Sequence, residues 1–159
     1  DALPIYVEMS FGDLMPGESI VAITINNDYP IKVIAMLPEG LSLWFGSKEV
    51  IPNPTLSLGE LPKSIDSNEG VIFYSEQITT KSSVLSTLIK LKELGVDSNR
   101  ILLITAICTN KGLNEIAKLF PKQVIYTSCI DEEDDNTKLL IPGIGNPLLR
   151  LSTIFQDKN

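Results

Sequence analysis

Apolar positions in this chain fall into short runs separated by polar, Gly-containing and Pro-containing stretches. Residues 4–9 (PIYVEM) and 19–25 (SIVAITI) read as two short strands joined by a turn through Gly12, Asp13, Pro16 and Gly17, which together predict a small N-terminal hairpin. Residues 31–37 (IKVIAML) are almost continuously apolar, as a strand covered on both faces of a parallel sheet must be. After Pro38-Glu39-Gly40, the cluster Leu41, Leu43, Trp44 and Phe45 predicts a short helix. Pro52, Pro54 and Pro62 then punctuate the chain, leaving 55–58 as a brief strand and 63–70 as a loop.

Residues 71–74 form the next buried-strand run, followed by a polar turn at 79–83. In VLSTLIKLKELG, residues Val84, Leu85, Leu88, Leu91 and Leu94 recur with helical spacing, Lys90, Lys92 and Glu93 take the wet side, and Gly95 fits a C-terminal cap. Residues 101–107 are a strand, 112–120 a helix with Leu113, Ile116, Ala117 and Phe120 on one face, and 123–128 a closing strand. Strand and helix alternate from 31 to 128, which predicts an α/β fold: a mainly parallel five-stranded sheet flanked by helices, with helices starting near Ser82 and Gly112.

At 159 residues, 43% hydrophobic and 21% charged, the chain suits one domain with a buried core. Its net charge of -7, with no basic stripe, argues against nucleic acid as a partner. No apolar run approaches the roughly 20 residues that span a bilayer. The chain has no histidine, so imidazole chemistry is excluded, and its two cysteines, Cys108 and Cys129, lack metal-ligand spacing. They read as two reduced thiols at neighbouring strand ends. The numbering starts at Asp1, so either a targeting segment was removed or an N-terminal part lies outside this numbering.

Ligands of open parallel sheets bind beyond the carboxyl ends of the strands. After Tyr74 the chain reads Ser75, Glu76, Gln77, Ile78, Thr79, Thr80, Lys81, Ser82, Ser83 and enters a helix. Free N–H groups at a helix start bind anions, but a phosphate cradle needs glycines for close backbone approach and this loop has none. A capping role for Thr80 or Ser82 is the simpler reading. The run Asp131, Glu132, Glu133, Asp134, Asp135 lacks the spacing and glycine of a calcium loop and reads as a solvated acidic loop. The residues indicate no metal and no cofactor. Ile141-Pro142-Gly143-Ile144-Gly145 is a tight apolar turn that either presents backbone amides to a small planar ligand or only redirects the chain.

The sequence resembles the uracil phosphoribosyltransferases from about residue 1 to 150. Tyr126-Thr127-Ser128-Cys129-Ile130-Asp131 matches the family's YTA-(S/A)-ID, and 141–145 (IPGIG) matches its IPGLG at the same separation. VIFYSEQITTKSSVLSTLIKLKELG is similar to the family's ALIVDPMLATGGS loop and following helix, ILLITAICTNKG to VLVLVAAPEG, and IKVIAMLPEGLSLWFG to VVPILRAGLGM. The resemblance implies a phosphoribosyltransferase-like fold, with Tyr126, Ile130, Ile141, Gly143 and Gly145 as the remnant of a uracil pocket.

The departures are systematic. The family's loop opens with an acidic residue that contacts the ribose hydroxyls of phosphoribosyl pyrophosphate, where this chain has Ser75. Its glycine pair beside the 5'-phosphate is replaced by Lys81 and Ser82, and the arginine of its pyrophosphate turn by Pro38, in Pro38-Glu39-Gly40. The family's flexible arm is missing between Leu58 and Val71, the GDAGD continuation reads Gly145-Asn146-Pro147-Leu148-Leu149, and the family's N-terminal helices would lie before residue 1. Positioning and charge stabilisation are the main resources for moving pyrophosphate, and each contributor is replaced.

The expected function is therefore a non-catalytic structural or interaction subunit of a larger protein assembly. Trp44, Phe45 and the acidic run 131–135 are its candidate contact surfaces, although both rings read equally as core. The alternatives are a sensor of uracil or UMP and a divergent phosphoribosyltransferase. The family's homodimer is an open option. Abundant Ile, Asn and Lys with only two arginines, Arg100 and Arg150, suggest an AT-rich coding sequence and an organelle such as a plastid, with cytoplasm as the alternative.

Overall fold

The computed structural model describes residues 9–10, 22–23, 30–35, 40–49, 51, 55–58 and 60–142. At the N-terminus β1 (Met9–Ser10) pairs antiparallel with β2 (Ala22–Ile23), the centre of the expected hairpin, whose turn lies outside the described residues. The main sheet has strand order β4-β3-β5-β6-β7-β8. It comprises β3 (Ile31–Ala35), β4 (Thr55–Leu58), β5 (Gly70–Ile78), β6 (Ile101–Thr109) and β7 (Val124–Glu133), all parallel. The five expected strands are present. A sixth, the two-residue β8 (Leu140–Ile141), adds antiparallel to the end of β7.

Both faces of the sheet are covered, which is why residues 71–74 and 101–104 of its central strands are all apolar. On one face α2 (Val84–Glu93) and α3 (Asn110–Leu119) pack Val84, Leu88, Leu91 and Ile116 against Phe73, Leu103 and Cys108. On the other, α1 (Leu41–Ser47) lays Leu43 and Trp44 over Val33, Tyr74 and Leu102. Burying these side chains supplies the main stabilisation, about 1.5–3 kcal/mol for each large apolar group fully removed from water. At the end of α2, Gly95 adopts a left-handed φ of 82°, its N–H bonds Lys92 O at 3.0 Å, and Val96 N–H bonds Leu91 O at 3.0 Å. This is the expected glycine cap.

Two strands run further than their hydrophobic pattern predicts: β5 continues from Tyr74 to Ile78, and β7 from Ser128 to Glu133. Three neighbouring strands kink at one level, with their register unchanged. Ser75 pairs with Thr105 and Thr105 with Thr127, then Gln77 pairs with Ile107 and Ile107 with Cys129, so that pairing lapses at Glu76, Ala106 and Ser128 and resumes in the same register. At each kink a hydroxyl donates to the carbonyl two residues on: Ser75 Oγ to Gln77 O (3.0 Å), Thr105 Oγ1 to Ile107 O (3.0 Å), Thr127 Oγ1 to Cys129 O (2.9 Å). Before the kink Phe73 and Leu103 face α2 and α3; after it Ile78 and Cys108 do. A kink of this kind inverts the in-out alternation, so the strands look finished where they are only bent.

Candidate functional site

The carboxyl ends of β5, β6 and β7 converge on one side chain, Glu133, which is only 5% exposed. Its Oε2 accepts from Thr80 N–H at 3.0 Å and from the Thr109 hydroxyl at 3.0 Å, while Oε1 accepts from the Thr80 hydroxyl. A buried carboxylate is tolerated only when its lone pairs are met in this way. Burial alone pushes the Glu133 carboxyl up, but the hydroxyl and amide of Thr80, the Thr109 hydroxyl and the nearby Lys138 together outweigh it and hold it below its ordinary value of 4.5. Glu133 is therefore an internal anion.

Each contact is fixed by local structure. Thr109 is the N-cap of α3, its Oγ1 accepting from Gly112 N–H at 3.0 Å, so its single proton is free to point at Glu133. Gly112 has to be glycine: an added Cβ would lie 2.9 Å from Ile78 O and 3.1 Å from Thr109 Oγ1. Glu133 itself is carried by the β7–β8 hairpin. There Asp134 Oδ1 accepts from Thr137 N–H (2.7 Å), Thr137 Oγ1 (2.7 Å) and Asn136 N–H (3.1 Å), and these bonds, led by the Thr137 amide, hold its carboxyl low. Lys111, in the first turn of α3, ties the hairpin down. Its Nζ donates to Asp135 Oδ1 and to Glu133 O at 3.4 Å, and Lys138 Nζ lies 3.7 Å from the same Asp135 oxygen.

The loop between β5 and α2 is closed on itself. Thr80 N–H goes to Glu133, Lys81 N–H to Thr79 Oγ1 at 3.2 Å, and Ser82 N–H to Thr79 O at 3.1 Å. The N-cap of α2 is Ser83, which makes no side-chain cap bond, so the expected capping by Thr80 or Ser82 does not occur. Thr80 serves Glu133, and the Ser82 hydroxyl donates to Thr79 O at 2.9 Å. Lys81 lies outside, its Nζ 3.5 Å from Thr137 O across on the hairpin. Ser75 and Glu76 are strand residues, not loop residues, because β5 continues past them to Ile78. Ser75 is 2% exposed, and Glu76 Oε1 accepts from Ser42 Oγ on α1.

The acidic run is likewise not a solvated loop: Asp131, Glu132 and Glu133 belong to β7, and Glu133 is buried. The reading failed because five adjacent carboxylates carry no mark of which one turns inward. Thr109 and Lys111 escaped notice for the same reason, since their role exists only once β6 and β7 are paired. Of the supposed base pocket, Tyr126 is half-buried against the α1-side core, while Ile130 and Ile141 are each 51% exposed. Gly143 and Gly145 lie outside the described residues, as do Pro38 and Glu39 of the pyrophosphate turn. Gly40 is described, at φ 95°, and an added Cβ there would meet Tyr74 O at 2.3 Å. Trp44 packs into the core. Phe45 is 58% exposed, with Lys48 Nζ 5.5 Å from its ring centroid. Among the described residues no group of three or more Cys, Asp or Glu is placed to hold a metal ion, and no helix is long and apolar enough to cross a membrane.

Residues 13–147 match the family model described as uracil phosphoribosyltransferase. The uracil phosphoribosyltransferase of Nostoc sp. is 25% identical over 147 residues, covering 82% of this chain and 68% of that protein. That of Fervidobacterium nodosum is 29% identical over 136 residues, covering 76% and 64%. The chloroplastic enzyme of Arabidopsis thaliana is 26% identical over 133 residues, covering 74% and 45%. The chain thus spans between 45% and 68% of the length of these three relatives. Among solved structures, that of the AQ2163 protein from Aquifex aeolicus matches with a TM-score of 0.66 at 21% identity, over 94% of this chain and 77% of that one, a likeness that shows the fold alone. With a mainly parallel sheet and a family match over residues 13–147, this chain belongs to the uracil phosphoribosyltransferase family.

Proposed function

We propose that this chain is a non-catalytic member of its family and serves as a structural or interaction subunit of a larger protein assembly. One observation carries the reading: the three amides at 80–82, in the loop that aligns with the family's phosphate cradle, are all bound internally, one of them by the Glu133 carboxylate. A loop that cradles a phosphate must offer those N–H groups to it. Here a phosphate would meet a buried negative charge, and Lys81 and Ser82 side chains in place of hydrogens.

Phe45 and the exposed Ile130 and Ile141 supply apolar contact surface for partner subunits. A plastid location is supported by the relatives, which include the chloroplastic Arabidopsis enzyme and cyanobacterial ones. A second reading, a divergent uracil phosphoribosyltransferase, is favoured by the family match over 13–147 and requires Glu133 to leave the loop. Calorimetric titration with phosphoribosyl pyrophosphate and magnesium separates the two: the non-catalytic reading predicts no heat of binding. The subunit role is tested by native mass of the protein isolated from its source at low salt, where a free monomer or simple homodimer would overturn it.

A further inference from the structure

Among the described residues, β7 has β6 along one side, but on its other side only β8, which pairs with Glu132 and Glu133 and no further. At Pro142 the chain bends, and a proline has no N–H with which to extend that ladder along β7. Residues 124–130 therefore form an edge of the sheet, and they carry none of the usual defences against pairing: no proline, no lysine and no other charge. Four of the eight exposed large apolar side chains among the described residues, Val124, Ile130, Leu139 and Ile141, lie on β7, on β8 or in the turn between them. A long apolar edge of this kind is a template for another strand.

We propose that this edge takes β7 of a second copy of the chain, the two strands pairing antiparallel and joining two sheets into one. The strand is complementary to itself in a single register. Ile125 packs on the α2–α3 side and Ile130, the register partner of buried Cys108, lies on that side too, whereas Tyr126 packs on the α1 side with Leu102, the register partner of Val124. A twofold axis between Thr127 and Ser128 sets Ile125 against Ile130 and Tyr126 against Cys129. A shift of one residue either way would set Ile130 against Val124 or Tyr126, both of which belong to the opposite face. A shift of two would shorten the ladder, since β7 starts at Val124 and β8 already occupies Glu132. The charges agree with this pairing: each chain carries -7 overall, yet the paired stretch holds only Asp131, and Lys122, just before β7, arrives beside Glu132 of the second copy. The contact does not depend on the proposed function, because a two-copy unit can stand alone or within a larger assembly.

The experiment is sedimentation equilibrium of the purified chain, combined with a cross-link between the paired strands. Wild type is expected at twice the mass of one chain, and Ile130→Lys, at an exposed position, is expected to weaken the dimer at least about tenfold. Position 126 lies opposite Cys129 of the second copy, so Tyr126→Cys should give a disulfide-linked dimer with oxidised glutathione, reversed by reductant, where wild type gives none. If either variant fails to fold, the other decides. A wild-type monomer overturns the proposal, whether the edge is covered by residues 143–159 of the same chain or by a different protein. So does a dimer that Ile130→Lys leaves intact, or a folded Tyr126→Cys protein that links no more than wild type. Native mass in extracts of the source tests the larger assembly separately: a simple homodimer there would overturn the subunit reading and leave this contact standing.

Discussion

The Thr80 amide donates to the Glu133 carboxylate at 3.0 Å across 53 residues of sequence, joining the loop after β5 to the hairpin after β7. The Thr80 hydroxyl binds the other carboxylate oxygen, so both polar groups of one loop residue are held by one buried acid. The contact settles the stability of this end of the sheet and the state of its loop together.

Glu133→Gln is therefore expected to destabilise the fold by about 1–3 kcal/mol at neutral pH, the cost of leaving hydrogen-bond donors to a buried charge poorly met. The sign of its pH dependence follows from a carboxyl held below 4.5 in the fold. Such a group contributes stability above its unfolded pKa and loses it as pH falls through the folded one. Urea melts should show a constant gap between wild type and variant above about pH 5, narrowing steadily in more acid solution. A gap that widens on acidification would mean that Glu133 is neutral in the fold.

Gly40 is read from the fold as a packing residue. Gly40→Ala meets a left-handed φ and a contact of 2.3 Å with Tyr74 O, so α1 must lift from β5. A loss of at least about 2 kcal/mol in urea unfolding is expected, from the left-handed penalty plus the clash. The Tyr74 hydroxyl, which donates to Ser47 Oγ at 2.6 Å, should become accessible to solvent in the same variant.

The two thiols are free but unequal, Cys129 exposed and Cys108 buried. Burial pushes the Cys108 thiol up, with the neighbouring Cys129 and Asp131 adding to it and a bond with Thr127 opposing. Titration with a disulfide reagent at neutral pH should find one fast thiol, and a second only in denaturant. Two fast thiols in the native protein would contradict the packing of β6 against α3.

Restoring the loop alone should not restore an enzyme. Lys81→Gly with Ser82→Gly recreates room beside the loop, yet Glu133 still holds the Thr80 amide and Ser75 still lies buried in β5. UMP formation by this double variant should stay at background; turnover would show that the two side chains alone block the site.

The parallel sheet was legible because strands covered on both faces must be continuously apolar, and 31–35, 71–74 and 101–107 have no other use for such runs. The strand ends were not, because the shared kink at Glu76, Ala106 and Ser128 breaks the alternation inside a continuing ladder. Glu133 was illegible for a different reason. Nothing local separates it from Glu132, and only the pairing of β6 with β7, with Thr109 opposite Asp131, brings it over Thr80. Gly40 was read as part of a ligand turn when its φ and its distance from Tyr74 already account for it.

The central claim is that the loop is closed to phosphate and the protein does not catalyse. Its most direct test is UMP formation by the purified wild-type protein given uracil, phosphoribosyl pyrophosphate and magnesium, followed by separation of labelled uracil from labelled UMP. No UMP above the enzyme-free background is predicted. Sustained turnover that scales with protein concentration would contradict the account.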